Sequence, residues 1–424
     1  MERQTFAIET LGCKVNQYEE QVLRENLLKN GFRESALQEA DYFIVNSCTV
    51  TGRADSKTRK LIKRAKKENP GLEVYVTGCY AVLPEDIEKL RSMPEVRGVV
   101  PGGDKMTLPR VLSSVSAAAG VCEETHERIS GFGSHTRAFL KIQDGCDRGC
   151  SYCKVNIVRG PSKSRCEGEV IDEVVRLAKS GYREIVLTGI CLGSWKGKDG
   201  KTFTDLLRTI DKLEGDFRVR LSSIEPDQIG KELIETIARS RRICRHLHIP
   251  LQSGSDKVLK MMNRRYDTAR FRELVLKLRE KMPLIGITMD IIAGFPGETE
   301  EDFEKTAGMI EELRPSRLHV FKYSDRKGTK ASGMKDKVPS DVAAERVGKL
   351  INIGSRFQSE FCGKFLGREA EILVEDRSIE GVLTGYTGEY IRAGVEGAAK
   401  IGELIRINIK EIDEKTPLVK ASKR

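Results

Sequence analysis

Apolar runs of strand length alternate with stretches of helical spacing over the first hundred residues. TFAIET, DYFIVNS and VYVTG read as strands, a helix from about Gln17 to Asn30 closed by Gly31 follows the first, and a basic helix follows the second. That order predicts a parallel α/β sheet. Beyond residue 133 the alternation resumes, with AFLKIQ, EIVLTG, VRLSS, HLHIPL, GITMDII and RLHVFKY as strands and helices beginning near Glu167, Thr204, Gln228, Asp256 and Thr299. Six βα units without a seventh and eighth predict an open, partial (β/α)6 form of the TIM barrel. The last sixty residues change character: AEILVE, GVLTGY, EYIRA and LIRINIK are short, glycine-separated strand candidates of a small β-barrel. The expected organisation is an α/β unit over 1–110, a linker over 111–133, the barrel over 134–357 and the β unit over 358–424.

Cysteines give this pattern its chemistry. Cys13, Cys48 and Cys79 each follow one of the first three strands, and such turns emerge at one edge of a parallel sheet, where ligands bind. Three thiols far apart in sequence can therefore converge. A free buried Cys also serves as a small hydrophobe, but one at each of three equivalent positions favours a ligand set. Cys146, Cys150 and Cys153 have Cys-x3-Cys-x2-Cys spacing directly after the first barrel strand, at the end where barrels carry their sites. Three thiolates do not close a zinc tetrahedron, and no His or fourth Cys stands near them in the sequence. A 4Fe-4S cluster on three thiolates leaves one iron open to a small molecule.

Composition narrows the setting. The chain has 424 residues, 39% hydrophobic and 32% charged, and no apolar run near the roughly 18 to 20 residues that a membrane span needs. MERQTFAIET lacks the order of a signal peptide, so the 11 cysteines are expected in a reducing, cytoplasmic compartment. A net charge of +10 favours a polyanion such as RNA, although a scattered surface gives the same sum. The densest basic run, Arg53 to Lys67, holds eight cations against Asp55. Leu61, Ile62 and Ala65 would form its buried stripe, leaving Lys57, Arg64 and Lys67 as RNA contacts or a plain solvated face. Residues 361–424 carry eleven cations and eleven anions, so RNA binding there needs a local face, with Tyr386, Tyr390 and Arg392 as candidates. His126, His135 and His319 show no metal-like partners in the sequence. Cys122, Cys166, Cys244, Cys362 and Trp195 read as packing or surface residues.

The run around Cys146, with Tyr152 before its third Cys, resembles the radical S-adenosylmethionine (SAM) superfamily, in which the open iron takes SAM's amino and carboxylate groups. TLGCKVNQYE, NSCTVT and TGCYA resemble the N-terminal domain of the methylthiotransferases, which are radical SAM enzymes with two 4Fe-4S clusters. IVRGPSKSR, EIVLTGICLGSW, RLSSIEP, HLHIPLQSGSDKVLKMMNRRY, DIIAGFPGET and FKYSDRKGT extend the resemblance over nearly the whole barrel, and the last unit resembles a TRAM domain. Lys14-Val15-Asn16 is most similar to the branch that modifies N6-threonylcarbamoyladenosine in tRNA. Relatives acting on isopentenyladenosine, or on an aspartate of a ribosomal protein, usually carry other residues there.

The resemblance implies clusters on Cys13, Cys48 and Cys79 and on Cys146, Cys150 and Cys153. It also implies SAM contacts from Tyr152, Gly189, Ser223 and Gln252, with Arg159 near substrate or cofactor. The implied partners are a tRNA anticodon stem-loop, an electron donor such as flavodoxin or ferredoxin, and a sulfur source, with a methylthio group placed on adenine C2 at position 37. An aryl C-H has no useful acidity, so this chemistry calls for a radical and no acid-base pair is nominated. The chain departs from the family at Asn156, where Pro is usual, and at Cys191, where a polar residue is usual. A non-catalytic iron-sulfur RNA-binding protein is the alternative of another class, and it leaves two open cysteine sites without a use.

Overall fold

Five parallel strands build the N-terminal sheet in the order β2-β1-β3-β4-β5. They are β1 (Thr5–Thr10), β2 (Arg33–Glu34), β3 (Tyr42–Ser47), β4 (Glu73–Gly78) and β5 (Val96–Val99). All of β3 is buried, as its unbroken apolar run requires of a central parallel strand covered by helices on both faces. Helix α1 (Lys14–Lys29) begins directly after Cys13, three residues earlier than the periodicity suggests. Helix α2 (Gly52–Glu68) is capped by the Thr51 side chain, which accepts from Ala54 N, and buries Leu61, Ile62 and Ala65 as expected. The computed structural model describes residues 4–115, 128–133, 135–378, 381–413 and 418–423, so most of the expected linker, with His126 and Cys122, lies outside the described residues.

The partial barrel is formed by β6 (Arg137–Lys141), β9 (Glu184–Thr188), β10 (Arg218–Leu221), β11 (His246–His248), β12 (Gly286–Ala293) and β13 (Arg317–Lys322), while β7 (Gln143–Asp144) and β8 (Lys163–Ser164) make a small antiparallel pair. Its two three-stranded halves, β10-β9-β6 and β11-β12-β13, are linked by one parallel bridge between Val219 and Ile243, so six strands follow one another in chain order. Along β10 to β13, residues such as Val219, Leu221, Leu247, Ile287, Met289 and Ile291 join the core under the helices. The alternate positions Arg220, His246, His248, Thr288, Asp290 and His319 therefore line the concave face.

The sequence pattern missed the short helices Pro84–Arg91, Leu108–Val115 and Val155–Arg159 and two long ones. Thr268–Lys281 is strongly charged, and Ser340–Gly363 turns a thin stripe inward that mixes Ala343, Arg346, Leu350, Gly354 and Phe357. Gly354 belongs to that stripe because a Cβ there would lie 2.7 Å from Leu318 Cβ. The second helix also runs through the expected boundary at 357/358, and its Phe361 and Cys362 enter the C-terminal core. No described helix is long and apolar enough to cross a membrane.

A closed five-stranded barrel ends the chain, in the order β14-β15-β16-β18-β17. It comprises β14 (Glu369–Arg377), β15 (Leu383–Thr387), β16 (Arg392–Glu396), β17 (Leu404–Asp413) and β18 (Leu418–Lys423). The last strand has no counterpart in the sequence reading, and the expected strand EYIRA begins only at Arg392 because Tyr390, at φ 70°, belongs to a turn. That turn docks at the N-terminal ends of the barrel strands. Arg218 donates to Tyr386 O (2.7 Å), and Arg220 donates to Thr387 O (2.8 Å) and Gly388 O (3.0 Å). Both guanidinium groups also bind the fully buried Glu184, at 2.6 and 2.7 Å. Burial alone would raise the Glu184 carboxyl, but Arg220 and Arg218 pull it down to about 2.

Glu184→Ala is expected to destabilise the chain by about 3–5 kcal/mol, since it strands buried guanidinium groups. Urea unfolding curves of the two chains at matched iron content check this. Because the folded carboxyl is held low, its contribution is full above the ordinary value of about 4.3 and disappears as the pH falls toward 2.

Candidate active site

Cys13, Cys48 and Cys79 meet at the C-terminal edge of the N-terminal sheet. Each follows the last residues of its strand, and the charge of each thiol is felt by its neighbours. Asn16, one helical turn into α1, sits among them: its Oδ1 is 4.0 Å from Cys13 Sγ and 3.8 Å from Cys79 Sγ. Its amide donates to Leu11 O and Ser47 O, both at 3.0 Å, which fixes that oxygen. Gly12 closes the approach at φ 128°, where a Cβ would stand 2.9 Å from Cys48 Cβ. Burial pushes the Cys48 thiol up to about 11 and raises Cys79, so thiolates there need a nearby positive charge such as bound iron.

The second set lies on one loop after β7. Arg148 N and Val155 N donate to Cys146 Sγ and Cys153 Sγ at 3.4 Å, and Arg264 Nη1 donates to Cys150 Sγ at 3.2 Å. Donors aimed at sulfur are what an iron-sulfur cluster requires of its surroundings. Gly145, at φ 66°, permits the loop: a Cβ there would lie 2.0 Å from Pro161 O. Cys191, distant in sequence, comes within hydrogen-bonding reach of Cys146 and accepts from Gln228 Nε2 at 3.3 Å.

Arg159 joins the two sets. Its guanidinium donates to Glu19 (2.9 Å), to Asp144 (2.9 Å) two residues before Cys146, and to the same Asn16 oxygen that faces Cys79. Beside it lies a cavity of about 380 Å³ lined by Cys79, Glu19, Lys105, Lys141, Asp144 and Arg165, among others.

Residues 140–310 match the Radical SAM superfamily, and residues 5–101 match an uncharacterized protein family, UPF0004. A threonylcarbamoyladenosine tRNA methylthiotransferase MtaB from Thermotoga maritima is 37% identical over 418 residues, covering 97% of this chain and 95% of the relative. The enzyme of the same name from Bacillus subtilis is 39% identical over 427 residues, covering 96% and 93%. The chain belongs to the radical SAM tRNA methylthiotransferase family. A tRNA-2-methylthio-N(6)-dimethylallyladenosine synthase from Carboxydothermus hydrogenoformans is 34% identical over 437 residues, covering 97% and 98%. In fold, the chain is similar to the radical SAM methyltransferase TsrM from Kitasatospora setae, with a TM-score of 0.55 at 16% identity over 76% of this chain and 73% of that one. A radical SAM enzyme uses SAM and a 4Fe-4S cluster.

In this methylthiotransferase the remaining expected residues fall into distinct surroundings. Gln252, at φ 67° and 9% exposed, has a side-chain oxygen without a hydrogen-bond partner among the described residues, so it is free to receive a ligand donor. Gly189 passes so close to β7 that a Cβ would meet Gln143 Oε1 at 2.9 Å. Tyr152 packs edge-on to Phe295 with its hydroxyl 3.5 Å from Arg264. Ser223 is exposed, and the neighbouring Ser222 is the buried one. Lys57, Arg64 and Lys67 are exposed, with Arg64 in long ion pairs to Glu9 (3.8 Å) and Glu68 (3.5 Å).

Tyr386 and Tyr390, read from the sequence as an RNA face, stack on each other at 4.6 Å beneath the barrel, with Arg137 over Tyr386 and His246 against Tyr390. Their rings are used inside the chain, and Arg392 alone of that trio is exposed. His319, expected to lack partners, faces Asp290 at 3.3 Å, and His248 faces the same carboxylate at 3.0 Å. Three neighbouring strands bring these together, which spacing along the chain does not reveal. Glu19 was also missed, because a carboxylate inside a helix ordinarily reads as a solvent position.

Gly145→Ala is expected to cost about 1–3 kcal/mol of backbone strain and to displace the Cys146 loop. Iron content checks this in a chain whose Cys13, Cys48 and Cys79 are alanine, where loss of the remaining iron is the expected outcome.

Proposed function

We propose that this enzyme adds a methylthio group to C2 of N6-threonylcarbamoyladenosine at position 37 of tRNA, with one 4Fe-4S cluster on Cys146, Cys150 and Cys153 and a second on Cys13, Cys48 and Cys79. The observation that carries the reading is Arg159, which contacts Asn16 beside the first cysteine set and Asp144 beside the second. Two sulfur-rich edges meeting at one buried guanidinium suit a reaction that must bring a radical and a sulfur atom to the same carbon. When bound, SAM and the clusters supply that radical and that sulfur.

The chain's own residues bind and orient. Gln252 offers an acceptor to SAM, and Gly189, Ser223 and Tyr152 are the further contacts assigned to it. Arg159 holds the two halves in register. Lys57, Arg64 and Lys67 offer phosphate contacts, and an anticodon loop can splay its base into the site. A reductant such as flavodoxin or ferredoxin and a sulfur source complete the reaction, and a tRNA substrate makes the cytoplasm the expected compartment. The threonylcarbamoyl branch is favoured over the isopentenyl branch by 34–39% identity to five relatives named for it, against 32–34% to three named for dimethylallyladenosine.

Reconstituted without oxygen, the chain is expected to hold about eight iron atoms. Alanine at Cys13, Cys48 and Cys79 leaves half of them together with SAM cleavage, and zinc or a single cluster in the unmutated chain refutes the two-cluster reading. Deuterium at adenine C2 of a modified anticodon stem-loop is expected in 5′-deoxyadenosine as the methylthio product forms. Label retained in the RNA rules out abstraction by the radical.

Charge reversal at Lys57, Arg64 and Lys67 is expected to weaken tRNA binding and flatten its dependence on salt by up to about 0.7–0.9 in log-log slope per lost phosphate contact. An unchanged salt series makes α2 a solvated face.

A further inference from the structure

His319 belongs to a group that neither cysteine set uses. Strand register assembles it: Asp290 on β12 pairs with His319 on β13, and His248 on β11 pairs with Thr288, two residues before Asp290. All three side chains therefore share the concave face. His248 Nε2 lies 3.0 Å from Asp290 Oδ2, and His319 Nδ1 lies 3.3 Å from Asp290 Oδ1. One donor atom of each residue falls within 4.8 Å of the other two.

These short approaches are not hydrogen bonds. His248 Nε2 and Asp290 Oδ1 are buried and have no hydrogen-bond partner among the described residues, although each has a complementary atom close by. At such distances only direction is at fault. Leaving a buried polar atom unpaired costs about 1–3 kcal/mol, so a further group that serves all of them is favoured. A water about 2.8 Å from both atoms of a pair would have to span an angle of roughly 65–70°, narrower than its hydrogen-bonding directions. A metal ion at about 2.0–2.1 Å from both would see roughly 90–110°, the range of octahedral and tetrahedral sites. His246, the ring below His248 on β11, is not part of the set: it faces Thr288 Oγ1 at 3.1 Å and stacks on Tyr390. Arg220 on the same face is neutralised by Glu184 at 2.7 Å.

Two imidazoles and a carboxylate suit first-row transition ions, whereas calcium and magnesium take oxygen donors throughout. We propose that His248, Asp290 and His319 bind one divalent first-row transition-metal ion on the concave face of the barrel, apart from both cysteine sets. Three protein donors leave positions open toward the interior for water or an oxygen of a bound ligand. Gln252 is the next residue toward the C-terminal mouth, and its backbone N–H donates to Asp290 O at 2.8 Å, so the ion lies beneath the residue offered to SAM. The proposal does not depend on which base is the substrate.

Cobalt(II) is the probe. The full chain is reconstituted with iron and sulfide, cleared of loose ions with a chelator, and equilibrated with cobalt(II) without oxygen. About one cobalt per chain is expected over unchanged iron, and its K-edge fine structure is expected to show nitrogen and oxygen at about 2.0–2.1 Å with the outer-shell pattern of imidazole. Asp290→Asn and His319→Phe, at unchanged iron content, are expected to weaken cobalt binding roughly 100-fold, the upper end of what loss of a mere supporting residue brings. Sulfur in the cobalt shell places the ion on cysteines and overturns the proposal. Equal cobalt affinity in all three chains overturns it as well, as does an unmutated chain that retains no cobalt. The edge measurement uses the unmutated chain alone, so the test stands even where a variant does not fold.

Discussion

Glu19 is the carboxylate on which the relation between the two halves of this enzyme depends. Fully buried, it accepts from Lys105 of the N-terminal unit, Lys141 at the end of β6, and Arg159 beyond the second cysteine loop. Burial alone would raise its carboxyl, yet these three cations hold it well below the usual carboxylate range. A buried ion pair gains little over an apolar contact, but breaking one strands charge, so such a network resists rearrangement more than it adds stability. What it secures is distance and angle between two sulfur edges. Asp144 adds a second acceptor, and the surplus of cations lies beside Cys79, where a thiolate-ligated cluster brings negative charge.

The parallel strands divide labour between their ends. Both cysteine sets lie at C-terminal ends, as parallel α/β architecture dictates. At the N-terminal ends, Arg218, Arg220 and Glu184 form a second buried charge group, and it is occupied by the turn between β15 and β16. The C-terminal barrel is therefore fastened to the enzyme through the turn whose aromatics suggested an RNA face. Its remaining surface is charge-balanced, and the concentrated positive field lies instead on α2, which begins four residues after Cys48 and so starts at the catalytic edge.

Much of this was legible in the sequence, for identifiable reasons. Central parallel strands are continuous apolar runs, so DYFIVNS and GITMDII announce themselves, and each strand end carrying a cysteine marks an edge. The helix Ser340–Gly363 was not legible, because Arg346 and Gly354 occupy its buried stripe. Arg346 is buried against Glu298 at 2.7 Å, and that partner lies in a distant turn. For the same reason His319 looked isolated: its meeting with Asp290 and His248 across β11, β12 and β13 is a property of register, which no local spacing encodes. Resemblance located Arg159, but its role as the link between halves came only with Glu19 and Asn16 in place.

Helix α1 shows why the site and the fold are hard to separate. It buries Asn16, Glu19, Gln21 and Asn26 together with Val15, Tyr18, Val22 and Leu23, so its apolar stripe is diluted and its amphipathic signal weak. Tyr18 and Val22 join the barrel core while Leu23 and Leu27 join the core of the N-terminal sheet. One helix is thus shared by two hydrophobic cores, and its polar residues serve the interface between them: Asn16 reaches the thiols, the Tyr18 hydroxyl donates to Glu173 at 3.0 Å, and Glu19 gathers the cations. Replacing these polar residues by apolar ones would sharpen the helix and remove what fixes its rotation and height. A sixteen-residue helix that buries so many hydrogen-bonding groups is stable only when both halves are docked against it. Folding of the two halves and assembly of the site are on this account a single event.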